Sequence, residues 1–397
     1  MRTIDVRERR ARLARRHLLA PEGGGASVEA ATEALVCLHA TDPGTVYLSA
    51  RARVPAFTVA DMDRALYDDR TVVRHLAMRR TLFVVPVGLL PLVQGGVSAR
   101  VAGSEGRRLA REAEKAGLVP DGARWLEKAS AAVLDALADG RQASSTELRN
   151  EIPLLAGSIT YGVGRSWGGE VPVGPRVLTV LSAAGEIVRA INDGRWTVSR
   201  PRWATVAGWL GEPLRPEPPR EALAALVEVW LRRFGPATLQ DAKWWFGATL
   251  TATRHALADS GAVEVDLDGT AGYVAPDDLD PEPPVEPWAA LLPGLDPTTM
   301  GWADRDWYLG GHREHVFDGN GNGGPTAWWD GRVVGGWHQD ERGAVVLDLL
   351  EEVPSRALRL LRDEADQLTG WLDGTRVTAR FPSPLLKRAA APGTGGR

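Results

Sequence analysis

The stretch that decides the fold lies between Trp125 and Val198: WLEKASAAVLDAL at 125–137, SSTE at 144–147, PRVLTVLSAA at 175–184, then EIVR at 186–189 and RWTV at 195–198. Apolar residues recur at helical spacing from Trp125 to Leu137, which gives an amphipathic helix. Ser144-Ser145-Thr146-Glu147 opens a second helix that stops near Pro153, and Pro175 to Ala184 gives a third. Glu186–Arg189 and Arg195–Val198 then form a hairpin around Asn192-Asp193-Gly194. Helix, turn, short helix, loop, helix and hairpin is the order of a winged helix.

The same grammar extends in both directions. Downstream, Glu221–Phe234, Thr238–Phe246 and Thr251–Ser260 read as helices, followed by a hairpin of Val263–Leu267 with Tyr273–Val274. Upstream, helices are expected over Arg7–Leu19, Val28–Leu38 with Ser27 as N-cap, Thr45–Arg53, Asp61–Leu66 and Val72–Met78, with Pro43 breaking the pattern. Thr81–Val85 reads as a strand closed by Pro86. These units share no sequence identity, so they are repeats of architecture only. Asp277–Pro287 is acidic and Pro-rich, a linker or an edge-hugging loop. From Trp302 to Leu350 Trp, Gly and Val dominate, with turns at Asp318-Gly319, Asp330-Gly331 and Arg342-Gly343, which indicates an antiparallel sheet or small barrel. A helix over Ser355–Leu372 and a strand over Arg376–Phe381 complete the chain, with a disordered tail after them.

Composition narrows the function classes. The 397 residues carry 47 basic and 51 acidic side chains and are 44% hydrophobic, an ordinary globular balance with room for several cores. No apolar run approaches the ~18 residues of a membrane span, and the Arg-rich N-terminus lacks the apolar core of a secretory signal. The single Cys37 excludes an intrachain disulfide and a cysteine-based zinc site. A soluble, cytoplasmic protein is expected. Residues 1–130 hold 21 basic and 15 acidic side chains, whereas the remainder holds 26 and 36. A basic N-terminal part on an acidic molecule fits a polyanion partner at one face.

Several motifs fail on context. Gly319-Asn320-Gly321-Asn322-Gly323-Gly324 matches the dinucleotide pattern, but Pro325 and a strand follow where a helix N-terminus is needed. His312 and His315 lack further ligands for a metal. His39-Ala40-Thr41-Asp42-Pro43 is different, because it sits at a helix boundary where polar side chains can enter a cleft. His39 can orient or deprotonate a water, Thr41 can hold it, and Asp42 can stabilise positive charge. The residues alone leave a second reading open: a helix end with His39 on the dipole and Asp42 in a local turn. If Asp42 caps a neighbouring helix and His39 is buried, the catalytic reading loses most of its support.

At this point the chain resembles the winged-helix DNA glycosylases of the AlkZ/YcaQ type. The resemblance runs over nearly the whole chain. It rests on Leu35–Pro43, Met78–Val85, Trp167–Pro172, Gly194–Trp196 with Arg202-Trp203, Leu292–Pro297 with Met300–Trp302, and Gly321–Thr326 with Val334–Trp337. It implies an α+β, mostly helical fold of three tandem winged helix-turn-helix units and a C-terminal β-rich, barrel-like domain, C-shaped around DNA. The expected divisions are 1–120, 121–216, 217–280 and 281–388, with 389–397 as a disordered tail. It further implies excision of N7-alkylated or bulky alkyl-purines, some from interstrand crosslinks, without metal or cofactor, in repair or in self-resistance to a genotoxic natural product. The family's catalytic motif, Gln-x-Gln or Gln-x-Asp, falls on His39 and Thr41, both substituted, with Asp42 following as usual.

The expected catalytic residues are therefore His39, Thr41 and Asp42. Expected DNA contacts are Arg79, Arg80, Arg165, Arg176, Arg195, Trp196, Arg200 and Arg202, since Arg on phosphate is sequence-independent and salt-sensitive. Trp167 and Trp196 can stack or wedge, or simply pack against their own domain. The partner is double-stranded DNA carrying alkylated purines, met by a nucleoid-associated monomer. The rival reading is a non-catalytic winged-helix DNA-binding protein, a lesion sensor or regulator.

Overall fold

The computed structural model describes residues 1–161 and 169–389. The chain is mixed α/β and divides into two compact units, Met1–Asp63 with Val227–Arg397, and Arg64–Leu226.

In the first unit the N-terminal helix Val6–Arg16 starts on Asp5, whose carboxylate accepts the Glu8 N–H at 2.8 Å. Its arginines explain the acidic Pro-rich stretch. Arg12 and Arg16 both pair with Asp278 at 2.8 Å, Arg15 pairs with Glu282 at 2.7 Å, and Arg12 also donates to the Asp280 carbonyl. This stretch hugs the helix, and the Arg-rich face is largely neutralised within its own unit. The positive surplus of the N-terminal part is thus smaller at the surface than the count of side chains suggests.

An aromatic core follows from the helix Pro219–Phe234 and the helix Leu239–Phe246. Phe234 lies 4.7 Å from Trp245 and 5.2 Å from Trp302, ring centre to ring centre, and buried His17 packs edge-on against Phe234 at 4.6 Å. Such rings supply large apolar area in preferred tilted and T-shaped contacts. Thr238 closes a capping box with Asp241, and the helix Leu250–Asp259 and the hairpin Val263–Leu267/Thr270–Val274 follow as the sequence predicts. The four strands Ala289–Leu292, Thr326–Trp329, Arg332–Gln339 and Val345–Leu349 form an antiparallel sheet in chain order. Asp330-Gly331, with φ of 46° and 77°, joins Trp329 to Arg332 as a tight two-residue turn. The helix Ser355–Leu372 buries Ala357, Leu361, Ala365, Leu368 and Leu372, one stripe at helical spacing.

In the second unit strands are hydrogen-bonded in the order Leu82–Pro86, Val72–Leu76, Ile187–Asn192, Pro201–Thr205 and Ala143–Ser144. The helices Ala99–Lys115, Gly122–Ala136, Ser145–Glu151 and Gly174–Ala183 share a core with them that includes Leu109, Trp125, Val133, Leu178, Ile187 and Trp203.

Several local expectations are corrected. Val72–Met78 is not a helix: Val72–Leu76 is a strand paired with Leu82–Pro86 from Val72↔Pro86 to Leu76↔Leu82, as its β-branched start allows. Pro43 does not end a helix but opens one, Pro43–Arg51, as the first-turn proline whose missing N–H costs nothing. The preceding helix stops at Ala34 rather than Leu38, because Val36 takes φ 62° and turns the chain out of the helix. Arg195–Val198 belongs to the loop, and the returning strand is Pro201–Thr205. Arg376–Phe381 joins no strand ladder, and Pro384–Ala389 is helical.

Candidate active site and nucleic-acid interface

The segment Leu35–Pro43 is shaped by burial. A β-branched residue at positive φ is strained, yet Val36 holds that conformation because Leu35, Val36, Cys37 and Leu38 are all drawn into the core. The chain then runs extended over Leu38–His39. His39 is 4% exposed, and its Nδ1 accepts the Thr41 N–H at 3.4 Å. In the neutral ring that leaves the proton on Nε2, which makes Nε2 a donor.

Asp42 is the N-cap of the helix Pro43–Arg51. Its Oδ1 accepts the Gly44 N–H at 3.2 Å and its Oδ2 accepts the Arg380 N–H at 3.0 Å. The side chain is buried, which pushes its pKa above the usual carboxylate value, while the two backbone bonds and the Arg380 charge oppose the shift. Both conditions that weaken the catalytic reading are therefore met: Asp42 caps a helix and His39 is buried. Each carboxylate oxygen already serves a backbone N–H, so what Asp42 does in this structure is hold the turn. Thr41 is half-buried, and its carbonyl oxygen accepts Arg380 Nη1 at 3.4 Å.

The helix Pro43–Arg51 is tied to the Leu292–Pro297 motif. Thr45 donates to the Gly294 carbonyl at 2.7 Å, and Ser49 donates to Asp296 at 2.6 Å. Arg53 and Asp296, both fully buried, form a two-pronged ion pair at 2.8 and 2.9 Å. Two motifs some 250 residues apart are thereby one structural block. His338, with Nδ1 2.6 Å from Asp348, lines a small cavity together with Asp42, Thr45, Gly294 and Trp337.

The expected DNA contacts separate into kinds. Arg79 and Arg80 lie in the turn between the strands Val72–Leu76 and Leu82–Pro86, with φ of 53° and 61°. The Arg80 side chain is 57% exposed and pairs with Glu105 at 3.0 Å. Arg176 is bound to Glu112 at 2.5 Å. Arg202 is bound to Glu147 and Asp193 at 3.0 and 3.1 Å and donates to the Gln142 carbonyl. Arg195 and Arg200 stand exposed in the loop after Ile187–Asn192, with no carboxylate within 4 Å among the described residues. Asn192 organises that loop, donating to the Val198 and Gly194 carbonyls and accepting the Arg200 N–H. Trp196 in the same loop is half-buried. Arg165 and Trp167 lie outside the described residues.

Sequence reasoning missed Arg380 and the clamp around Asp296. Arg380 sits in a segment read as a strand, and Asp296 is locally indistinguishable from any Asp before a proline. Arg380 carries no signal in its own neighbourhood of sequence, and the Leu292–Pro297 motif that contains Asp296 does not announce Arg53 as its partner.

The family model described as "DNA glycosylase AlkZ-like" matches residues 32–371. Among solved structures, Streptomyces sahachiroi DNA glycosylase AlkZ superposes with a TM-score of 0.74 at 21% identity, covering 93% of this chain and 98% of that one. That likeness shows a shared fold. A search of curated protein sequences found no match.

Proposed function

This chain belongs to the AlkZ-like DNA glycosylase family, and from that premise we propose that it hydrolyses the N-glycosidic bond of N7-alkylated or bulky alkyl-purine nucleotides in duplex DNA. Single adducts and interstrand crosslinks both fall within this reading, as does a role in repair or in self-resistance to a genotoxic natural product. The observation that carries it is the family match across residues 32–371, which includes the His39–Asp42 turn. We assign the winged-helix grammar to three successive units, 1–120, 121–216 and 217–280, followed by a β-rich part at 281–388. The protein acts as a monomer at the nucleoid and uses no cofactor.

The chemistry asks little of the side chains. An N7-alkylguanine is already cationic and leaves without strong acid catalysis, so the enzyme has to place a water and tolerate positive charge on the sugar. His39 Nε2–H holds the water as a donor, and the Thr41 hydroxyl assists. Asp42 acts mainly by fixing the turn that carries them, and its carboxylate, when ionised, adds a negative field for the sugar cation. The buried His39 and the capping Asp42 favour a second reading, a DNA-binding protein that keeps the family scaffold without base release.

Single-turnover base release from a duplex carrying N7-methylguanine decides between them, with His39→Ala and Asp42→Asn as comparisons. Release that His39→Ala abolishes, with duplex affinity intact, supports the glycosylase. No release from this duplex or from one with a bulky N7 adduct, despite salt-sensitive binding, hands the case to the binding protein.

A further inference from the structure

We propose that Arg380 is a positioning residue whose guanidinium grips a DNA phosphate beside the His39–Thr41 turn. The inference rests on the glycosylase reading and deepens it.

The seat of this residue is rigid. Gln339 donates to the Thr375 carbonyl at 3.0 Å and accepts the Val377 N–H at 2.9 Å, while Asp42 takes the Arg380 N–H at 3.0 Å. The segment 375–380 is thus pinned by side chains at both ends. The Arg380 side chain is exposed, and among the described residues it meets the Thr41 carbonyl at 3.4 Å and the Phe381 ring at 5.7 Å. No carboxylate lies within 4 Å of it among the described residues. Its neighbours are spoken for: Arg376 donates to the Asp340 and Glu341 carbonyls, and Arg388 sits beside His315.

An exposed, pre-placed guanidinium offers several N–H donors in the fork that suits a phosphate. Charge points the same way. A site that expels a cationic base and leaves positive charge on the sugar is opposed by a bare cation at its edge. The opposition disappears when that cation is neutralised, and the anion that a flipped nucleotide brings to the site is its own flanking phosphate. Arg380 lies beyond the residues matched by the family model, so it is argued from this chain alone.

Arg380→Gln leaves the backbone N–H to Asp42 in place, so the turn keeps its support. The test measures affinity for an undamaged duplex at several salt concentrations, for wild type, Arg380→Gln and Arg380→Lys. Loss of one phosphate contact is expected to weaken binding several-fold at low salt and to reduce the log–log salt slope by about 0.9 in Arg380→Gln. Arg380→Lys retains the slope. An unchanged slope in Arg380→Gln overturns the proposal, and so does an affinity loss that comes without a slope change, since that is a structural effect. The slope is read without any base release, so failure here and failure of the glycosylase reading are separate results.

Discussion

Asp296→Asn tests how the family motifs are held together. Arg53 uses all five of its N–H groups in the interior. Nε donates to the His17 carbonyl at 3.0 Å, Nη1 to the Ser49 carbonyl at 2.7 Å and to Asp296 at 2.9 Å, and Nη2 to Asp296 and to Thr298, both at 2.8 Å. Asp296 in turn accepts from Arg53 twice, from Ser49 at 2.6 Å and from the Thr298 N–H at 2.9 Å. Asparagine keeps the shape but turns one oxygen into a donor facing other donors, and it leaves the guanidinium as an uncompensated charge at 0% exposure. Breaking a buried pair from one side costs about 3–5 kcal/mol. For a unit of this size that corresponds to a melting-temperature drop on the order of 10 °C. Urea unfolding followed by tryptophan fluorescence reports the loss, since the unit is built around its Trp core. Replacing both partners, Arg53→Met with Asp296→Leu, is expected to recover part of it, because no lone charge is then left inside. A loss below about 1 kcal/mol for Asp296→Asn would refute the reasoning, as it would mean the pair is hydrated or replaceable.

The remaining predictions concern the second unit. Burial lowers the pKa of His75 from 6.5 to about 4, with the nearby Gln94 side chain opposing the shift. The unfolded chain takes up this proton near pH 6.5, whereas the folded chain resists it until about 4. The associated stability is full above pH 6.5 and is lost as pH falls toward 4, by roughly 3 kcal/mol at most. Urea midpoints at pH 7 and 4.5 should therefore converge in His75→Gln, and an undiminished acid sensitivity of that variant counts against His75 as the source. In the loop after Asn192, Arg195→Gln and Arg200→Gln should each lower the duplex salt slope by about 0.9, because no carboxylate among the described residues neutralises them. Arg202→Gln, already paired with Glu147 and Asp193, should leave the slope unchanged and cost less than about 1 kcal/mol. A slope change in Arg202→Gln equal to the other two would show that the ion pairs yield to DNA.

Local pattern carried much of the fold. The helices at Gly122–Ala136, Leu239–Phe246 and Ser355–Leu372 and the Asp330-Gly331 turn lie where spacing, caps and turn chemistry put them. Ser27 caps its helix as its sequence position announces, while Ser144 and Thr238, read as the first residues of theirs, prove to be the caps. The misreadings cluster where burial competes with propensity. Val72–Leu76 carries a short apolar run that suits either a helix or a strand, and its pairing with Leu82–Pro86 decides the matter. Pro43 was legible as punctuation but not as a beginning, since only the cap geometry of Asp42 gives its direction.

The candidate site divides the same way. Residue types and order alone identified the family and placed His39, Thr41 and Asp42 in one turn. They also indicated a mixed chain of helices and strands with a Trp- and Gly-rich β part. What only the tertiary structure decided is which partner each polar group meets. The Arg-rich first helix is spent on the 278–282 stretch, Asp296 belongs to Arg53, and Asp42 reaches across more than 300 residues of sequence to the backbone of Arg380. The physical reason is range. Helix and turn preferences are set within a few residues. A charge or hydrogen bond is settled by whatever the fold brings within about 3 Å, and no local pattern encodes that neighbour.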